Sequence, residues 1–142
     1  MFVSITRLRI RSIRFMPGFA FHAIRSQRQV GRASGFLAGA LLPDRNWTFW
    51  TMTGWDNIES MRAYMMAGPH RAAMPKLAKW CAEASVVHWE QKGGDLPSWI
   101  EADARMRKDG RPTKISHPGP HHQALDFAPP RVTAGQTINP MR

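Results

Sequence analysis

Cysteine is nearly absent from this 142-residue chain, because Cys81 is the only one. A single cysteine excludes an intramolecular disulfide and favours a reducing, cytoplasmic location. Long apolar runs are lacking too. The longest one, Phe15 to Ile24, contains His22 and is too short to span a membrane. Spaced arginines near the N-terminus interrupt the apolar core that a secretory signal needs, so no signal is predicted.

Acidic residues are missing from the first part of the chain. Between Met1 and Pro43 there is no Asp or Glu, whereas seven arginines are present: Arg7, Arg9, Arg11, Arg14, Arg25, Arg28 and Arg32. This imbalance permits a nucleic acid or a membrane surface as partner, or a merely solvated basic face. It also permits an arginine that holds the anionic head of a ligand. Binding to an anionic surface, whether nucleic acid or anionic lipid, is the least favoured function, because no motif interleaves aromatic with basic residues.

Several signatures of common enzymes are absent as well. The sequence shows no paired carboxylates in one motif, no Ser–His–Asp pattern, no glycine-rich phosphate loop and no CxxC, which disfavours hydrolases, kinases and zinc sites. The motif HPGPHH supplies His117, His121 and His122, which could ligate a transition metal. Since nothing around them predicts a fixed geometry, no metal site is predicted.

The elements that the sequence does contain follow one order. Alternation and periodicity predict strand, helix, strand, strand, helix, strand, at residues 2–10, 17–33, 36–42, 47–54, 56–81 (with a break at Gly68–Pro69) and 85–91. This is the order of a ferredoxin-like α+β fold with an antiparallel sheet and both helices on one face. The other face is predicted to be apolar and uncovered, which favours a homodimer packed sheet on sheet.

Composition divides the chain into two parts. Residues 1–107 are predicted to form the α+β domain, ending in a short helix at about 96–106. Residues 108–142 are rich in Pro, Gly, His and basic residues and poor in core formers. They are predicted to be a disordered or loosely attached tail.

The segment from Trp47 to Met74 joins an aromatic strand to a Met-rich amphipathic helix. Methionine and aromatic side chains suit irregular apolar ligands. The predicted pocket for a small apolar or aromatic molecule consists of Trp50, Met52 and Trp55 on the strand, with Met61, Tyr64 and Met65 on the helix. Most proteins with this spacing use it for an ordinary core.

The motif W-D-x-x-x-S-M-x-A-Y-M-x-A-G-P-H-R-x-A-M, from Trp55 to Met74, together with the element order, resembles the dimeric α+β-barrel superfamily that includes the antibiotic biosynthesis monooxygenases. That branch oxidises aromatic polyketides without metal or flavin. A haem-degrading branch has a similar helix, but its histidine ligand falls at Met74 here, and His70 lies one turn earlier. The N-terminal half is also distantly similar to spheroidene monooxygenase, a haem-associated carotenoid oxygenase.

The resemblance implies a monooxygenase-like function that needs no cofactor. Such chemistry requires a base, for which His70 and His22 are candidates, and groups that orient an oxyanion, for which Tyr64, Trp50 and Arg25 are candidates. The alternatives are a non-catalytic protein that binds haem or a hydrophobic metabolite, and a protein that binds an anionic surface. Whether the chain is an enzyme stays open at this point.

Overall fold

The computed structural model describes residues 1–141. It contains six strands and four helices: β1 (Phe2–Ile10), α1 (Met16–Gly31), β2 (Phe36–Asp44), β3 (Thr48–Trp55), α2 (Ile58–Met65), α3 (Gly68–Trp80), β4 (Cys81–Glu90), α4 (Trp99–Asp109), β5 (Arg111–Pro112) and β6 (Gln136–Ile138). The strands form one antiparallel sheet in the order β5-β4-β1-β3-β2-β6. The four central strands have the ferredoxin-like arrangement, which confirms the predicted fold class.

Several boundaries differ from the prediction: α1 ends at Gly31, β2 extends to Asp44 and α4 begins at Trp99. The second predicted helix begins at Asp56, whereas the N-cap of α2 is Asn57, whose side chain accepts a hydrogen bond from the Ser60 amide. A cap residue needs extended backbone and a short acceptor side chain, and Asn57 provides both. Strand β4 begins at Cys81, directly after α3, and not at 85. None of the helices within residues 1–141 combines the length and apolarity needed to cross a bilayer.

The two faces of the sheet follow from the alternation of side chains along β1. Phe2 faces α1 and α2 and packs with Trp55 and Met61. Val3 and Ile5 face the opposite way and pack with Trp50 and Met52. The pairing of β1 with β3 sets this division, because Phe2 lies opposite Trp55 and Ile5 lies opposite Met52.

The opposite face is covered by the chain itself. Ala102 and Met106 of α4 and Phe127 of the following segment are buried against Val3, Trp50 and neighbouring residues. The prediction of a loose tail beyond residue 108 therefore differs from the structure. The prediction was based on the small number of apolar residues in the tail, which suggested that it has no core. Two of these residues, Phe127 and Ile138, are nevertheless buried against the sheet.

The homodimer prediction depended on an uncovered apolar face. Because α4 and Phe127 fill that face, the exposed area that would demand a second copy is not present. The tail also pairs with both outer strands of the central sheet, β5 with β4 and β6 with β2. Sheet-on-sheet association stays a prediction, and it now lacks its main physical reason.

A buried ion cluster lies under the tail. Arg7 Nη1 is 2.6 Å from Glu83 Oε1, and Arg9 Nη1 is 3.0 Å from Glu83 Oε2. The Arg7 guanidinium carbon is 3.7 Å from the ring centroid of Phe127 and 5.8 Å from that of Trp50. Burial lowers the pKa of Arg7, although Glu83 opposes that shift. The cluster therefore links β1, β4 and the tail by charge as well as by apolar contact.

Gly35, between α1 and β2, has a positive φ of 82°. A Cβ at this position would also collide with the side-chain oxygens of Asp56 and Ser60. We expect Gly35→Ala to lower the free energy of unfolding by about 2 kcal/mol, through the left-handed backbone and the displaced side chains. Urea denaturation measures this effect. Gly94→Ala, where a Cβ meets nothing within 4 Å, is the control and should change stability by under about 1 kcal/mol; equal effects would contradict the explanation.

Candidate functional site

An open groove of about 890 Å³ lies between α1 and α2. Arg25, Arg28, Gln29 and Arg32 form the wall on the α1 side, and Tyr64 lies on the α2 side. One carboxylate, Glu59, also lines the groove. The other lining residues are small or neutral: Ala33, Ser34, Asn57, Ser60, Ala63, Ala67 and Pro69. The groove therefore combines a cationic wall with apolar patches, amide and hydroxyl groups and one acidic group.

Arg25 and Arg28 of α1 and Arg32, its C-cap residue, share one side because they recur at positions i, i+3 and i+7. Within residues 1–141, none of the three forms an ion pair with a carboxylate. Arg25 instead lies near the ring of Phe21, with 5.4 Å between its guanidinium carbon and the ring centroid. Three guanidinium groups against the single carboxylate of Glu59 leave the groove net positive, which favours an anionic ligand.

Tyr64 connects the groove to the interior. Its ring centroid lies 5.4 Å from that of Trp55 and 4.8 Å from that of His70. The hydroxyl donates to the Ser26 carbonyl across the helices, at 3.4 Å. Burial raises the pKa of Tyr64 well above its usual range. The phenol therefore stays protonated at neutral pH, so it can donate a hydrogen bond but cannot act as a base.

His70 lies behind Tyr64 and does not line the groove. Its Nδ1 is 3.3 Å from the Met65 carbonyl. Burial lowers the pKa of His70, and this hydrogen bond opposes the shift only in part. A neutral imidazole that donates from Nδ1 keeps a lone pair on Nε2, which is the form that a general base requires.

Gln29 has a structural role that the sequence did not reveal. Its Nε2 donates to the carbonyls of Tyr64, at 3.0 Å, and Ala67, at 2.8 Å, and its Oε1 accepts from the His70 amide at 2.8 Å. These contacts hold the break between α2 and α3, where Gly68 has a positive φ of 53°. Because the partners lie 35 to 41 residues away, no local pattern could indicate this role.

We expect Gln29→Ala to lower the free energy of unfolding by about 1–2 kcal/mol, because it removes three hydrogen bonds at a partly exposed junction. The loss should be local. Hydrogen exchange at the His70 amide should accelerate, whereas the amides of β1 should keep their protection. Gln27→Ala, an exposed neighbour on the same helix, is the matched control. Unchanged exchange at His70 would show that Gln29 does not hold the break.

The predicted pocket is divided by the sheet. Trp55 faces α2, whereas Trp50 and Met52 face α4 and the tail. The assembly of these three side chains into one pocket is therefore wrong, because the odd and even positions of β3 point to opposite faces. Met61 and Met65 pack with Trp55 in the core below the helices.

His22 lies apart from Tyr64 and His70. Its ring contacts Trp80, with 5.8 Å between the ring centroids, and its edge meets Phe21 at 5.3 Å. Burial lowers the pKa of His22, and the charges of Lys76 and Arg25 add to this shift. Of the predicted site residues, only Tyr64 and Arg25 line the groove, and His70 is one ring away.

The donor set of the groove does not fit haem. No histidine, cysteine or methionine lines it, so it offers none of the common axial ligands except a phenol that is already hydrogen-bonded. Met74, at the position of the haem-degraders' ligand, is 44% exposed on α3. The histidines of the tail motif do not form a metal site either: both ring nitrogens of His122 hydrogen-bond to the backbone, at Ala84 and Thr113, and His121 pairs with Asp126. Within residues 1–141, no cluster of three potential metal ligands occurs.

Comparison with solved structures supports the fold. A candidate antibiotic biosynthesis monooxygenase from Nitrosomonas europaea is 16% identical with a TM-score of 0.58, covering 66% of this chain and 100% of its own. A candidate antibiotic biosynthesis monooxygenase from Deinococcus radiodurans is 15% identical with a TM-score of 0.59, covering 68% of this chain and 98% of its own. SnoaB from Streptomyces nogalater, a cofactor-independent oxygenase, is 14% identical with a TM-score of 0.55, over 68% and 97%. These likenesses confirm the predicted resemblance at the level of the fold.

No curated protein matches this sequence. A family model, by contrast, matches nearly all of the sequence. This model, "Domain of unknown function (DUF3291)", matches residues 9–138. It takes in β2, β3, the three helices around the groove, α4 and the tail that covers the sheet. The chain therefore belongs to the DUF3291 family.

Proposed function

We propose that this protein binds a small aromatic or apolar molecule with an anionic group in the groove between α1 and α2, and oxidises it without a bound metal or flavin. The observation that carries the proposal is the groove itself, with three guanidinium groups free of acidic partners beside Tyr64. The reaction is proposed to take place in the cytoplasm, where Cys81 would stay reduced.

The lining of the groove supports binding of an amphipathic anion. Guanidinium groups pair with carboxylate, enolate or phenolate oxygens, and Ala63, Ala67 and Pro69 offer apolar contact to the remaining part of the ligand. Tyr64 adds a flat aromatic surface that suits a ring. Because the groove is open to solvent on one side, it suits a ligand that enters and leaves freely.

The oxidation is the finer part of the proposal. Cofactor-free oxygenation starts from a carbanion, which forms when a base removes a proton from an acidic C–H bond. Dioxygen then takes up the electrons, and an activated CH2 with O2 yields C=O and water. The arginines would stabilise the anion. Neutral His70, whose ring centroid lies 4.8 Å from that of the lining residue Tyr64, would accept the proton after the Tyr64 ring turns aside. Two observations support the oxidation: the fold is similar to that of SnoaB, a cofactor-independent oxygenase, and the Nε2 atom of His70 keeps its lone pair.

Binding can be tested with a matched pair of ligands. We expect 2-naphthoate to bind at least about tenfold more tightly than neutral 2-naphthamide, since one charge-assisted contact is worth about 1.5–3 kcal/mol. Isothermal titration measures both affinities. Arg25→Gln/Arg28→Gln should abolish the difference, whereas Lys108→Gln/Arg111→Gln, which removes the same charge outside the groove, should preserve it. Equal affinities in the native protein would contradict the anionic site.

Turnover is tested by oxygen uptake with a tricyclic aromatic ketone that carries an acidic methylene. His70→Ala should reduce uptake by at least about 100-fold, the contribution of a general base, without abolishing 2-naphthoate binding. His22→Ala, which changes a histidine outside the groove, should leave uptake unchanged. Uptake that survives in His70→Ala would show that another group is the base. Absence of uptake in the native protein would contradict the oxidation and leave only the binding function.

A further inference from the structure

The outer surface of α1 carries exposed apolar side chains beside its arginines. Phe21 and Ile24 are 56% and 52% exposed, and the nearby Ile13, in the turn before the helix, is 64% exposed. Helical spacing puts Phe21 and Ile24 on the same solvent-facing side as Arg25 and Arg28. Exposed apolar side chains next to each other, flanked by arginines, are uncommon on a surface that contacts only water.

The charge of the helical layer is one-sided. Helices α1, α2 and α3 carry six basic residues and one acidic residue: Arg25, Arg28, Arg62, Arg71, Lys76 and Lys79 against Glu59. Apart from Asp56, just before α2, the other carboxylates lie on or beside the strands, on α4 and in its flanking segments. The molecule therefore has a strongly basic face, which is the face that carries the exposed apolar side chains.

We propose that the outer face of α1 is a docking surface for an anionic lipid bilayer. Phe21 and Ile24 enter the boundary between headgroups and acyl chains, and Arg14, Arg25 and Arg28 contact lipid phosphates. This is the arrangement of an interfacial amphipathic helix, which lies in the plane of the surface and does not span it. The proposal goes beyond the proposed function, since it concerns a lipid surface and no reaction, although Arg25 and Arg28 also line the groove.

Charge complementarity selects this occupant. A second copy of the chain would bring one set of arginines against another, which is repulsive. A nucleic acid would satisfy the arginines but offers no apolar phase for Phe21 and Ile24. A bilayer with anionic headgroups provides both, because long arginine side chains extend to the phosphates while neighbouring apolar side chains are buried.

Co-sedimentation with vesicles tests the proposal on the full chain. We expect binding to vesicles of phosphatidylglycerol and phosphatidylcholine in a 1:1 ratio, and at least about tenfold weaker binding to phosphatidylcholine alone. Phe21→Ala/Ile24→Ala should reduce the partition coefficient at least about tenfold, through the lost apolar burial. Ile100→Ala, at a 73% exposed position on α4, is the matched control and should have no effect. Circular dichroism checks that each variant is folded.

The charges are tested separately. Arg25→Gln/Arg28→Gln should weaken vesicle binding about 25-fold, at about fivefold for each arginine, whereas Lys108→Gln/Arg111→Gln should change it less than about threefold. Equal effects of the two pairs would overturn the assignment of the surface. Binding that survives in Phe21→Ala/Ile24→Ala and is competed by single-stranded RNA would also overturn it, in favour of a nucleic-acid partner. The experiment contains no small-molecule ligand, so its failure leaves the proposed function untouched.

Discussion

Glu83→Ala is expected to lower the free energy of unfolding by about 3–5 kcal/mol, because it leaves the buried guanidinium of Arg7 without its partner. Arg7 and Glu83 are 6% and 4% exposed at their side chains. Arg9, which is more exposed, would lose its contact at a smaller cost. Urea denaturation followed by tryptophan fluorescence measures the loss.

The pH dependence of this pair has a defined direction. Burial alone would raise the pKa of Glu83, but the hydrogen bonds and charges of Arg7 and Arg9 outweigh it and hold that pKa below its ordinary value of 4.5. The contribution of the carboxylate to stability is therefore complete above about pH 4.5 and is lost as the pH falls through the lower folded-state pKa. The difference in stability between the native protein and Glu83→Gln should shrink over that range.

Glu101→Ala provides the control for Glu83. Glu101 pairs with Arg105 at 3.5 Å on the exposed side of α4, and such pairs contribute about 0–1 kcal/mol. A similar loss for Glu101→Ala and Glu83→Ala would contradict the role of burial. A stability difference between the native protein and Glu83→Gln that stays constant from pH 7 to pH 3 would contradict the assigned titration.

Phe127→Ala is expected to cost about 3–5 kcal/mol, as large-to-small changes of buried aromatic residues do. The ring fills the space between Trp50, at 5.8 Å between the ring centroids, and the guanidinium groups of Arg7 and Arg107. Its carbonyl accepts a hydrogen bond from Arg107 Nη2 at 2.8 Å. The loss should release the tail, so the amides of Thr113 and Ser116, which bond to Ala84 and Ala78, should exchange faster.

Val132→Ala, at an exposed position in the same tail, is the matched control for Phe127 and should cost less than about 0.5 kcal/mol. Analytical ultracentrifugation adds a second measurement. If the tail replaces a second copy on the apolar face, Phe127→Ala should increase self-association relative to the control. Loss of stability below about 1 kcal/mol would show that the tail adds little to the fold.

The predictable part of this fold is the part built by local patterns. Alternation and periodicity gave the order of elements, and the predicted break near Gly68–Pro69 was confirmed between α2 and α3. It was harder to predict which face of the sheet each strand residue occupies. Trp50 and Trp55 are both aromatic and both buried, so composition suggested one pocket, and only their separation by an odd number of positions puts them on opposite faces.

The least predictable part was the tail. It contains few apolar residues, and the contribution of Phe127 depends on β1, more than a hundred residues earlier in the chain. The groove was partly predictable, since the arginine spacing on α1 and the position of Tyr64 could be read directly. The role of Gln29 could not, because its partners on α2 and α3 are joined to it only by tertiary contacts.

Closure of both outer strands by one C-terminal segment has a consequence during synthesis. The four central strands are complete at Glu90, but β5 and β6 follow later, and β6 ends only at Ile138. At about 5–20 residues per second, roughly 2–10 s separate these points on the ribosome. During that interval the nascent chain carries an apolar face and two unpaired strand edges, which are sites of intermolecular strand pairing. The yield of folded protein in a cell should therefore depend on chaperones that act before the last residues emerge.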